Sequence, residues 1–126
     1  MYIAIDFDGT IVEDAYPAIG PLKPNAAEVM RQLKTDGHQI IINTCRTGNQ
    51  QESAARFLSD NHIPFDVINA NHPDLIKRFG NDCRKLGADI YIDDKCIFTS
   101  EIDWLKIGAM VDEKDTQLSR KQMANG

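Results

Sequence analysis

Residues Tyr2 to Thr10 read Tyr-Ile-Ala-Ile-Asp-Phe-Asp-Gly-Thr. The run begins apolar, carries β-branched Ile3 and Ile5, and is too short for a helix, so it predicts a buried strand. It stops in two carboxylates, Asp6 and Asp8, followed by Gly9 and Thr10. A buried strand that delivers paired acids to its carboxyl end puts charge where open α/β sheets bind ligands. Fold stability asks for no such pair: the acids repel, and partial burial is costly without a cation or hydrogen bonds. The plain alternative is a strand followed by an Asp-Gly turn. The rest of the chain decides between the two.

Downstream, Gly9 to Pro24 reads as an irregular loop, because Pro17, Pro21 and Pro24 with Gly20 forbid a long helix. A loop of this length is usually functional, and this one leaves from the acidic strand end and could fold over it. Pro24 to Gly37 predicts a helix with Ala26, Val29, Met30 and Leu33 on one face and Gly37 as its stop. Gln39 to Asn43 is a second buried strand, leading into Thr44-Cys-Arg-Thr-Gly48. Asn49 to Asn61 is a second helix with Ala54, Ala55, Phe57 and Leu58 inward, and Phe65 to Asn69 is a third strand. Ala70 to Leu86 predicts a short helix over Asp74 to Phe79, a break at Gly80-Asn81-Asp82 and one further turn. Asp89 to Asp94 is a fourth strand, again ending in paired acids. Ser100 to Met110 predicts a helix, with Ser100 as N-cap and Ile102, Leu105 and Ala109 facing inward. The polar tail from Lys114 either continues as helix or frays.

Strands alternating with helices imply a mostly parallel sheet with right-handed crossovers. The carboxyl ends of parallel strands share one edge. Here those ends carry Asp6 and Asp8, then Thr44, then Asn69, then Asp93 with Asp94. Polar groups from four separate strands converge on one rim, which favours a functional site over a chance turn.

Composition removes several function classes. The 126 residues suit one domain, with a core large enough to need no disulfide or structural metal. The net charge of −5, from 14 basic and 19 acidic residues, disfavours nucleic acid and membrane surfaces as partners. Three widely spaced cysteines, Cys45, Cys83 and Cys96, fit neither a disulfide framework nor a zinc site, and imply a reducing, cytoplasmic setting. Cys45 adjoins the Thr44 motif, but no His supports it as a nucleophile. The chain starts directly into a strand, which predicts no signal peptide, and no apolar run is long enough to span a bilayer.

Four carboxylates on one rim cannot all stay ionised unaided. A hard cation resolves this, and Mg²⁺ takes oxygen ligands from a few carboxylates, substrate phosphate and water. The expected metal site is Asp6, Asp8, Asp93 and Asp94; viewed alone, the last two have a solvated turn after a strand as their plain alternative.

Asp6-Phe-Asp-Gly-Thr-Ile-Val12 resembles the first motif of the haloacid dehalogenase (HAD) superfamily of aspartate-nucleophile phosphatases. Thr44, ending Ile40-Ile-Ile-Asn-Thr-Cys-Arg46, is similar to its second motif, and Tyr91-Ile-Asp-Asp94 to its acidic fourth. The likeness runs in the family's order from residue 1 to about 105. It implies that Asp6 attacks phosphorus to form an aspartyl-phosphate, and that Asp8 serves as acid and base. It implies that Asp6, the Asp8 backbone carbonyl and an acid of the Asp93-Asp94 pair hold Mg²⁺, and that Thr44 binds a phosphoryl oxygen. A lysine completes the set: Lys85 is favoured, with Lys77 as the alternative. Arg46 either grips a second charged group of the substrate, as Lys85 and Thr44 grip the first, or pairs with one of the many acids. Asn69 and Asn71 either contact substrate or, as is commoner at strand ends, form turns; His62 and His72 read as loop residues, and His38 as the start of a strand.

Most HAD phosphatases carry a cap domain. The intervals from Asp8 to Thr44 and from Thr44 to Lys85 are filled by the elements above, so the chain resembles a capless member. Its site is then open unless residues Thr10 to Pro24 or a neighbouring subunit of a homo-oligomer cover it. The resulting expectation is a Rossmann-like three-layer α/β sandwich without a cap, hydrolysing a small phosphorylated metabolite with Mg²⁺. A phospho-accepting receiver-like domain is the rival. Such domains phosphorylate an Asp after the third strand, where this chain has Asn69. A catalytically silent metal- or ligand-binding domain is the other rival.

Overall fold

The computed structural model describes residues 1–97 and 101–125. Strand β1 (Tyr2–Ile5) is central, flanked by β4 (Gln39–Ile42) and β6 (Ile90–Ile92), with β5 (Val67–Ile68) outside β4. All three pairings are parallel, and Ile5 sits in register with both Ile42 and Ile92. Interior parallel strands are covered on both faces, which explains the unbroken apolar runs: Ile3, Ala4, Ile5 and Ile40 to Ile42 are all buried. At the edge, β6 alternates instead, with Tyr91 exposed between Ile90 and Ile92. Helices α1 (Ala26–Thr35), α2 (Gly48–Asp60), α3 (Pro73–Phe79) and α4 (Trp104–Asn125) flank the sheet. The result is the Rossmann-like three-layer α/β arrangement, and no domain is inserted between Asp8 and Asp93.

The strand order β5-β4-β1-β6 matters for function. The chain leaves β1 for β4 and β5 on one side, then crosses to β6 on the other. The reversal lies between β1 and β6, the position where open α/β sheets form a ligand crevice.

Helix α1 buries Ala26, Ala27, Met30 and Leu33 and stops ahead of Gly37, whose φ of +93° an L side chain rarely adopts. Its Val29 lies against Gly108 of α4. In α2, Ala54 and Leu58 are buried, and Phe57 meets Phe7 edge-on at 6.0 Å between centroids. Both helices follow their apolar stripes.

Five expectations need correction. Residues Gly9 to Pro24 are not irregular: they contain an antiparallel hairpin of β2 (Val12–Ala15) and β3 (Ala18–Leu22), turning at a cis Tyr16–Pro17 bond. Pro17 sits in the turn. Pro21 is tolerated because both strands of a two-stranded ribbon are edges, so its missing N–H need cost no ladder bond. Gly20 allows the backbone of Glu13 to approach, since a Cβ there would overlap the Glu13 carbonyl.

Helix α4 begins at Trp104 and continues through the polar tail to Asn125. The expected N-cap, Ser100, lies outside the described residues. The inward face also differs: Trp104 and Val111 are buried, Ile107 is partly so, while Leu105 is 63% exposed and Ala109 is exposed. Starting the helix at Trp104 puts 104, 107, 108 and 111 on one face and rotates 105 and 109 off it. Ile102 precedes the helix and still packs against the core.

No helical turn follows Gly80, which ends α3 at φ +78°. The Asp82 carboxylate instead accepts bonds from the Asn71 amide N–H and side-chain Nδ2. The third strand is shorter than expected, because Asn69 turns out of it at φ +53°. Among the described residues, no helix is long and apolar enough to cross a membrane.

Candidate active site

Asp6 is the first residue beyond β1, and its N–H donates to the Ile92 carbonyl of β6 at 2.9 Å. That bond keeps the two strands joined to their ends, so the residues that follow them emerge side by side. Carboxylate oxygens of Asp6, Asp93 and Asp94 consequently lie within 4.8 Å of one another. All three acids come from the pair of strands that borders the topological reversal.

The turn after Asp6 folds back beneath this cluster. Thr10 and Ile11 both donate their N–H to the Phe7 carbonyl, which returns Thr10 towards Asp6. The buried Thr10 hydroxyl donates to Asp6 Oδ2 at 3.0 Å and accepts from the Asp94 N–H at 3.0 Å. One side chain thus fixes an acid from each strand. Gly9, at φ +85°, is needed for a second reason besides conformation: a Cβ there would overlap the Asp94 carboxylate. From below, Trp104 Nε1 donates to the Thr10 carbonyl at 2.9 Å, tying α4 to the same turn.

Electrostatics mark Asp6 as the stressed member. Burial pushes its pKa from the ordinary carboxylate value up to about 7, and the charges of Asp93 and Asp94 push the same way against the Thr10 hydrogen bond. The donor set is all oxygen, with no His or Cys in the cluster among the described residues. Such a set could hold a hard divalent cation, which would relieve the repulsion that the acids otherwise store.

Asp8 faces elsewhere. Its two carboxylate oxygens accept from Arg46 Nε and Nη2, each at 2.7 Å. Its carboxylate is therefore not one of the three that converge. Arg46 is only 1% exposed and also donates to the carbonyls of Pro17 and Ala18 at 3.1 and 2.9 Å. Its guanidinium stacks over Phe7 and Tyr16, and the Asp8 hydrogen bonds hold it above the ordinary arginine range. Of the two sequence expectations for Arg46, the geometry here is the ion pair with an acid. A substrate-gripping role would require Arg46 to leave these partners.

Thr44 follows β4 on the same rim. Its N–H donates to Asn69 Oδ1 at 2.8 Å, and its hydroxyl oxygen accepts the Arg46 N–H at 3.1 Å. Asn69 Nδ2 also donates to the Arg46 carbonyl. Asn69 is the turn former expected at the end of β5, and it supports the Thr44 loop as well. Asn71, buried, ties down the chain around Asp82 to Gly87 through Asp82, Cys83 and Gly87. His72 accepts the Asp74 N–H as the cap of α3.

The two lysines lie apart from the acids in their described contacts. Lys85 is exposed, with Nζ 5.5 Å from the centre of the Tyr91 ring, and Lys77 is exposed on α3. Neither contacts Asp6, Asp93 or Asp94 among the described interactions. Sequence reasoning missed the supporting roles of Thr10 and Trp104. The Asp-x-Asp-Gly-Thr spacing was a usable signal for Thr10; nothing local pointed to Trp104.

Fold and site together define an α/β protein with a carboxylate cluster at the switch point of a parallel sheet. No family model matches the chain, and no curated protein matches it. Among solved structures it is similar to a conserved protein from Bacteroides thetaiotaomicron, 37% identical, with 90% of this chain and 91% of that chain covered and a TM-score of 0.80. The chain belongs to the same family as that conserved protein.

Proposed function

We propose that this protein is a capless, HAD-type phosphohydrolase that uses Mg²⁺ and forms an aspartyl-phosphate on Asp6. The observation that carries the proposal is the meeting of Asp6, Asp93 and Asp94 carboxylates within 4.8 Å at the sheet's switch point. In this reading, Asp6, one or both of Asp93 and Asp94, and the Asp8 backbone carbonyl hold the cation. When bound, Mg²⁺ supplies positive charge that lets a phosphate approach an anionic nucleophile.

The remaining work falls to the chain. Asp6 is ionised to attack, and Thr10 donates a hydrogen bond to one of its oxygens, leaving the other to react. Asp8 hands a proton to the departing oxygen and takes one from the incoming water, which requires one of its oxygens to leave Arg46. The Thr44 hydroxyl oxygen accepts the Arg46 N–H, and its own O–H remains to donate to a phosphoryl oxygen. Lys85 is the favoured second cation, and reaching the phosphate requires it to leave the Tyr91 ring. A small phosphorylated metabolite fits the acidic chain better than a nucleic-acid end.

The test is hydrolysis of p-nitrophenyl phosphate and a panel of phosphorylated metabolites, with and without Mg²⁺. Turnover that needs Mg²⁺ and vanishes in Asp6→Asn is expected. Undiminished turnover in Asp6→Asn would remove the nucleophile assignment. A stable phosphorylated protein without turnover would favour the signalling alternative.

A further inference from the structure

The contacts around Arg46 form a bridge between two parts of the chain that the proposed chemistry needs in one place. On one side, Arg46 takes both oxygens of Asp8 at 2.7 Å in a side-on pair that fixes the carboxylate plane. On the other, it binds the carbonyls of Pro17 and Ala18 at the hairpin turn. Its guanidinium is stacked over Phe7, which lies between the two acids in sequence, and over Tyr16 of the turn. Arg46 itself is anchored by the β4–α2 loop, where Asn69 accepts from Thr44 and donates to the Arg46 carbonyl. Its burial to 1% exposure leaves little surface for a substrate.

We infer that Arg46 is a positioning residue that clasps Asp8 and the β2–β3 hairpin into one unit beside the acid cluster. The inference rests on the phosphohydrolase reading for its catalytic consequence, and on geometry alone for the clasp. Displacing the hairpin displaces Arg46, and displacing Arg46 frees the Asp8 carboxylate from the plane and position in which the pair holds it. A lysine cannot replace it, because one ammonium cannot present the planar fork to Asp8 and still reach two carbonyls.

The test compares Arg46→Met, Arg46→Lys and Tyr16→Ala with the wild type. Tyr16 is 58% exposed, so its variant folds even where Arg46→Met does not. Two readouts are taken: the kcat and KM split with p-nitrophenyl phosphate and Mg²⁺, and amide hydrogen exchange across residues 12–22. Misplacement of a catalytic group by about 1 Å costs on the order of 100-fold in rate. The expected result is a kcat loss of about that size in Arg46→Met, a smaller one in Arg46→Lys and a several-fold one in Tyr16→Ala. KM should stay within about twofold throughout, and hairpin exchange should quicken in the same order. A raised KM with kcat preserved would make Arg46 a substrate-gripping residue and overturn the inference, as would hairpin exchange unchanged by all three variants. If the wild type hydrolyses no phosphate ester, the phosphohydrolase reading fails by itself, and hydrogen exchange alone then decides the clasp.

Discussion

Trp104 Nε1 donates to the backbone carbonyl of Thr10 across 94 positions of sequence, at 2.9 Å and away from solvent. The other face of Thr10 holds Asp6 and the Asp94 N–H. The core of α4 is therefore one residue removed from the acid cluster.

That relationship predicts a spectroscopic handle. Trp104 is the chain's single tryptophan, so intrinsic fluorescence reports on its surroundings alone. Titrating Mg²⁺ or Mn²⁺ into the protein should give a saturable change in emission, absent in Asp6→Asn. Trp104→Phe removes the donor and part of the buried ring, stranding the Thr10 carbonyl at a cost of about 1–3 kcal/mol in denaturant stability before the lost packing is added. A variant as stable as wild type would show that neither the bond nor the lost packing contributes net stability.

Asp6 predicts a pH dependence of stability with a definite sign. Its folded pKa of about 7 lies above the ordinary carboxylate value, so the folded state binds the proton more tightly than the unfolded chain. With chelator present, the stabilising contribution of Asp6 should be complete near pH 4, be lost as pH rises towards 7, and stay lost above. The full shift corresponds to about 4 kcal/mol, which the partial exposure of Asp6 reduces to about 1–2 kcal/mol. Asp6→Asn should remove this contribution and be the more stable protein at pH 8. Urea midpoints of wild type and Asp6→Asn at pH 4.5, 6 and 8 check it, and a wild-type-minus-variant difference that rises across this range would contradict the assignment.

Gly9→Ala should damage the site out of proportion to its size. The added Cβ overlaps the Asp94 carboxylate, and φ +85° is strained for any L side chain. A stability loss of about 1–3 kcal/mol is expected from the backbone alone. Divalent-cation affinity should also fall by at least about tenfold, as expected when the support of a ligand is disturbed. Calorimetric titration with Mn²⁺ measures this. Affinity equal to wild type would mean that Asp94 is not a ligand.

The lysine assignment separates by mutation. Lys85→Ala should lower turnover by about 100-fold with little change in stability, since one charge-stabilising donor is worth that much. Lys77→Ala, on the exposed face of α3, should leave turnover within about twofold. The opposite ranking would exchange their roles.

The parts of this molecule that were legible in the sequence are those whose causes are local. Ile3 to Ile5 and Ile40 to Ile42 announce interior parallel strands because both faces are buried. The rim follows from them, because parallel strands share a carboxyl edge, and Asp6, Asp93 and Asp94 meet there. What stayed hidden depends on partners far along the chain. The hairpin is stabilised where Glu13 meets Gly20 and where Arg46 binds Pro17 and Ala18, none of which a proline count reveals. Arg46 and Asp8 are 38 positions apart, so their pairing could be named only as one of many open to either residue. The rotation of α4 is set by Trp104 finding Thr10, an attachment that outweighs the local pattern of Leu105 and Ala109.

The short edge strand β6 carries a further consequence. Two of the three clustered acids follow a strand of only three residues, paired on one side to β1. An ion held between Asp6 and Asp93 or Asp94 would cross-link that edge to the sheet's centre, so occupancy and local opening become linked equilibria. At a free cation concentration of about 100 times Kd, such linkage raises global stability by about 2.7 kcal/mol. Opening confined to β6 should be suppressed to the same degree, because it separates the ligands just as complete unfolding does.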